Sequence, residues 1–217
     1  FFQKNQTGVL IMIKKIFSRR GAELSVVVGL LCAIFASMAH FEAACDDLRQ
    51  NVLRLHIIAN SDSEEDQAVK LLVRDKILEE SSELFAGETE LKAAEKKAED
   101  NLNEFCKTAK LVLEENGFSY NVRAEIGDSY FETREYEDFT LPAGNYRSLI
   151  INLGAAKGKN WWCVIFPAVC VPAASDASLS DSAHNTSVQI AEHPQKYVMR
   201  FKTVEIYEDL KKLLKNK

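Results

Sequence analysis

A chain of 217 residues, 47% of them apolar, is long enough for one buried core plus an export segment, and its composition excludes collagen, coiled coil and wholesale disorder. The formal charge of −5 argues against nucleic acid, which demands a basic face.

Targeting signals come first in chain order. Lys14, Lys15, Arg19 and Arg20 form a basic cluster, and after Glu23 an uncharged run of sixteen residues extends over 24–39. Ser37 and Ala39 place small residues where a signal peptidase needs them, so 1–39 reads as a signal peptide cut after Ala39. A permanent anchor is the alternative, because the run approaches the roughly 17 residues that span a bilayer. Removing 1–39 leaves 22 basic against 31 acidic residues, a net of −9. Such a domain does not adhere to anionic lipid by charge, so membrane contact is expected through the leader only.

The segment 52–59 is rich in β-branched and apolar residues and reads as a strand. Ser61 with Glu64, or Ser63 with Asp66, supplies a capping box for a helix reaching about Leu84, with Val69, Leu72, Val73 and Ile77 on its apolar stripe. After Gly87 a second amphipathic helix is expected over 88–115, carrying Leu91, Ala94, Ala98, Leu102, Phe105, Ala109, Val112 and Leu113 on one face, and Asn116-Gly117 ends it. The period then falls to two. Strands are expected at 120–126, 130–136, 146–153 and 161–166, separated by turns at Gly127-Asp128, 141–144 and 154–160. The run 172–190 is Ala/Ser/Asp-rich without periodicity and reads as a flexible loop. In 191–217, Tyr197, Met199 and Phe201 alternate as a strand, and Val204, Tyr207, Leu210, Leu213 and Leu214 form a last helical stripe. The fold class is therefore α+β: a signal or anchor segment (1–39), a domain over 45–171 with a largely antiparallel sheet packed by two amphipathic helices, a loop (172–190), and a C-terminal strand and helix (191–217) docking on the domain.

Candidate chemistry is sparse. The turn 154–160 resembles a phosphate loop but is one residue short, lacks Ser/Thr after its lysine and leads into a strand. Cys163 with His56 is the one nucleophile–base pair worth testing, and it would make the chain a cysteine-type or cell-wall hydrolase. Against it, Pro167 can turn the chain so that Cys163 and Cys170 form a disulfide, while Cys106 stays reduced or pairs only with Cys45. Neither a metal nor another cofactor is expected, since no CxxC or HExxH spacing occurs. Trp161 and Trp162 are neighbours in a strand and so point to opposite faces.

Two motifs resemble one family. The run 54–67, Arg-Leu-His-Ile-Ile-Ala-Asn-Ser-Asp-Ser-Glu-Glu-Asp-Gln, continuing through Lys70 and Leu71 to Val73-Arg74-Asp75, is similar to the opening motif of stage II sporulation protein R. Leu141-Pro142-Ala143-Gly144-Asn145-Tyr146, with Gly158-Lys159-Asn160-Trp161-Trp162-Cys163-Val164, is similar to its second. The resemblance implies a non-enzymatic signalling protein of endospore formation. Such a protein is exported across the forespore membrane into the intermembrane space, where it triggers a membrane-embedded aspartic protease of the mother cell that processes pro-sigma-E. If all strands share one sheet, Asn60, Asp62, Arg134, Trp161 and Trp162 converge on one rim, an Arg/Trp anchor suited to that partner.

Overall fold

A computed structural model describes residues 19–136, 140–167 and 198–215. The chain divides into two units, Phe1–Ala43 and Ala44–Lys217. Helix α1 is Arg19–Gln50. In the first unit its apolar residues, among them Leu24, Val26, Ile34 and Phe35, are exposed. By length and composition it is the one helix among the described residues that could cross a membrane, as a signal sequence near the N-terminus also would.

The second unit is α+β. Strand β1 (Leu53–Ile58) is followed by α2 (Glu64–Leu84), α3 (Leu91–Asp100) and α4 (Leu102–Glu115), then β2 (Val122–Phe131), β3 (Arg134–Glu135), β4 (Thr140–Leu141), β5 (Gly144–Leu153), β6 (Asn160–Phe166) and α5 (Val198–Lys215). The main sheet has the order β2-β5-β1-β6. It is mixed but largely antiparallel: β5 pairs antiparallel with β2 and parallel with β1, and β1 pairs antiparallel with β6. Being central, β1 is covered on both faces, which is why it reads as a near-continuous apolar run.

One face carries the main core. Leu53, Leu55 and Ile57 of β1, Leu149, Ile151 and Leu153 of β5, and Cys163 and Ile165 of β6 meet Val69, Val73 and Ile77 of α2 and Phe105, Ala109 and Leu113 of α4. Ser63 caps α2, accepting from the Asp66 N–H at 3.2 Å, and Glu64, Glu65 and Asp66 complement the helix dipole. The opposite face carries a smaller core of Leu48, Val52, Phe131, Leu141, Tyr146 and Val164.

Four local expectations change. The helix expected over 88–115 is two, because Asn101 turns its side-chain amide to the Lys97 carbonyl at 2.8 Å and competes with the helical ladder. Gly127-Asp128 is no turn: β2 runs through it, since ten consecutive residues pair with β5 and Asp128 meets Arg147 across the strands at 3.2 Å. Arg134 consequently lies in a separate two-stranded ladder with β4. At the C-terminus, the residues from Val198 onward are helical instead of beginning with a strand, and Phe201, Val204 and Glu208 are its buried positions while Tyr207, Leu213 and Leu214 are exposed. Tyr197 and the 172–190 loop lie outside the described residues.

Candidate functional site

The first motif builds a clasp where β1 leaves the sheet. Asn60 donates to Asp66 Oδ2 at 2.9 Å and accepts at Oδ1 from the Ala155 N–H at 2.9 Å. Ser61 Oγ donates to the same carboxylate oxygen at 2.6 Å, and Tyr120 donates to Oδ1. Asp62 accepts from the Lys159 N–H at 2.6 Å, and Lys70 Nζ donates to the Lys159 carbonyl at 3.1 Å. The turn 154–159 is thereby bound to the β1–α2 loop on both sides. Its glycines allow the approach: a Cβ on Gly154, which has φ 59°, would collide with the Asn60 amide, and one on Gly158 with the Ser61 carbonyl. Because the N–H groups of Ala155, Lys157, Gly158 and Lys159 all point to protein acceptors, they are not a cradle for phosphate.

Asp66 is buried without a cation. Burial alone would raise its pKa, but hydrogen bonds from Ser61, Tyr120 and Asn60 outweigh it and hold the carboxyl below its usual range. Tyr120 is pushed up by burial and by donating to Asp66. Lys70 is pushed down, chiefly by burial.

The second motif ties α1 to the sheet within the second unit. Arg49 donates from Nε and Nη2 to the Ala143 carbonyl at 3.1 and 2.6 Å, and the buried Tyr146 hydroxyl donates to the Pro142 carbonyl at 2.5 Å. Above this lies an aromatic cluster on the sheet face away from α2 and α4. The Arg54 guanidinium, fully buried, lies 3.9 Å from the Phe131 ring centroid and 5.0 Å from that of Tyr146. Its Nη2 donates to the Tyr136 hydroxyl at 2.6 Å. Trp162 meets Phe131 edge-on, with centroids 6.0 Å apart, and Arg134 sits 4.8 Å over the Trp162 ring.

The expected rim is thus brought together only in part. Arg134 and Trp162 are stacked. Trp161 faces the helices, where Arg74 lies 4.4 Å over its ring, so the two indoles point to opposite faces as their sequence positions require. Asn60 and Asp62 turn their side chains into the clasp. The Cys163–His56 pair is contradicted: Cys163 stands opposite Leu55 and faces the helix-side core, whereas His56 stands opposite Trp162 on the other face. Burial further lowers the His56 pKa, with a hydrogen bond to Asn160 opposing it. Cys170, and with it the predicted bridge to Cys163, lies outside the described residues. Among the described residues no cluster of His, Cys, Asp or Glu could hold a metal. Arg49, Arg54 and Tyr146 were missed as site residues; an arginine inside an apolar strand, as in Val-Leu-Arg-Leu-His-Ile, was the available signal for Arg54.

Fold and site together define an α+β domain behind an apolar N-terminal helix, with its two sequence motifs closing a hydrogen-bonded clasp and a surface Arg/Trp stack. The chain belongs to the stage II sporulation protein R family, whose model matches residues 49–176. It is 35% identical over 118 residues to the stage II sporulation protein R of Bacillus subtilis (strain 168), a match that covers 54% of this chain and 53% of the relative. The chain therefore spans about half the length of the curated relative it matches. No solved structure matches it.

Proposed function

We propose that this sporulation protein is an intercellular signal. It is exported across the forespore membrane into the intermembrane space, where it activates a membrane-embedded aspartic protease that cleaves pro-sigma-E. The observation that carries this reading is the Arg134–Trp162 stack: a half-buried indole under an exposed guanidinium, the residue types that dominate interfaces, on the sheet face opposite the main core. Asn60 and Asp62 contribute by holding the neighbouring turn, and Trp161 by fixing Arg74 against the helix face. That Cys163 and His56 face opposite sides of the sheet favours this reading over a hydrolase built on that pair. The test is reconstitution of the mother-cell protease in vesicles with pro-sigma-E, assayed with and without this protein. Cleavage that depends on it supports the reading, and cleavage indifferent to it sinks the reading.

A further inference from the structure

Arg54 is the anomaly of the fold. It is fully buried, and its Nη1 has no hydrogen-bond partner. Its other contacts are a neutral phenol, a carbonyl of Cys163 at a long 3.4 Å, and aromatic faces. Among the described residues no carboxylate pairs with it, and none pairs with Arg134 on the far side of Trp162, although Glu132 and Glu135 flank Arg134 in sequence. A buried guanidinium without a counter-charge destabilises a fold, because the desolvation penalty is not repaid. Close by, the Trp162 Nε1–H is also buried and without a partner. Two guanidiniums and an indole donor therefore share one aromatic cluster in a protein whose charge is otherwise acidic.

We propose that Arg54, Arg134 and the Trp162 indole N–H form a receptor for a single carboxylate, supplied by an aspartate or glutamate side chain of the partner. The carboxylate accepts from Arg54 Nη1 and Trp162 Nε1 and neutralises the buried charge, while Arg134 steers it in. The match is one of charge and geometry: planar guanidinium forks select carboxylates, and the pairing strengthens away from water. The identity of the partner rests on the signalling reading; the carboxylate site itself does not.

The test uses the full chain in detergent micelles, with the two tryptophan indoles labelled with 15N and the Trp162 signal assigned by its loss in Trp162→Phe. Sodium acetate is titrated against sodium chloride at constant ionic strength. The expected result is a saturable shift of the Trp162 resonance with acetate only, while that of Trp161 stays still. Arg54→Met should weaken acetate binding at least tenfold and leave the melting temperature unchanged or raised, since an apolar side chain of similar length removes an unpaired buried charge. Should Arg54→Met fail to fold, Arg54→Lys, which keeps the charge but loses the fork, should still weaken binding. No acetate-specific shift, or wild-type affinity in both Arg54 variants, overturns the site. If acetate binds as expected but the wild-type protein leaves pro-sigma-E uncleaved in the reconstituted assay, the signalling reading falls and the carboxylate site stands.

Discussion

Asp66 ought to be the most sensitive polar position in the domain. Its carboxylate is buried and accepts from Tyr120, from Ser61 at 2.6 Å and from Asn60 at 2.9 Å, so Asp66→Ala strands three donors at once. A hydrogen bond to a charged group contributes about 1.5–3 kcal/mol, but Tyr120, Ser61 and Asn60 are all only half-buried and water can serve them after the mutation. Counting each of the three donors at a fraction of that gives about 1–3 kcal/mol, or about 2–12 °C in melting temperature for a domain of this size. The sign of the pH dependence is also fixed. The folded pKa lies below the usual carboxylate range, so the stabilisation is fully present above about pH 4 and disappears as pH falls through the folded value. Thermal unfolding of wild type and Asp66→Asn, followed by circular dichroism from pH 7 to pH 3, should show a gap that is constant down to about pH 4 and narrows below it. A loss under about 0.5 kcal/mol for Asp66→Ala, or a gap flat across the whole range, would refute the clasp as a stabilising unit.

Other consequences are simpler to measure. Tyr146→Phe leaves the Pro142 carbonyl without its buried donor and should cost about 1–3 kcal/mol in urea unfolding; no change would mean the hydroxyl is dispensable. Mass spectrometry of non-reduced peptides should find Cys163 bridged to Cys170, a short-loop disulfide contributing about 2–3 kcal/mol, and two alkylated thiols would exclude it. N-terminal sequencing of the extracytoplasmic protein should begin at or near His40, whereas an intact 24–39 segment would identify a retained anchor.

Much of the fold was legible because periodicity reports burial. The strand around Leu55, the cap at Ser63 and the apolar stripe through Phe105 and Leu113 follow from residue pattern alone. What was not legible depends on partners distant in sequence. Gly127-Asp128 looks like a turn until β5 offers it ten residues of pairing and Arg147 meets Asp128. Tyr197, Met199 and Phe201 alternate like a strand, yet Phe201 and Val204 are two positions of a helix that buries them on one side. The site divides in the same way. Asn60 and Asp62 were recognisable as special, but their role in gripping the turn 154–159 appears only once β1 and the end of β5 lie side by side. The Arg134–Trp162 stack likewise depends on the small β3–β4 ladder, which no periodicity announces.

Signalling through the Arg134–Trp162 surface, and not through catalysis, is what we propose for this protein. Its most direct measurement is pro-sigma-E cleavage in vesicles holding the mother-cell protease, with wild type, Arg134→Ala and Trp162→Ala added at equal concentration after each variant's melting temperature is recorded. The account predicts that wild type supports cleavage and that both variants lose it by at least tenfold, about 1.4 kcal/mol or more, while melting within a few degrees of wild type. Full cleavage by both folded variants would contradict it and place the contact elsewhere on the domain.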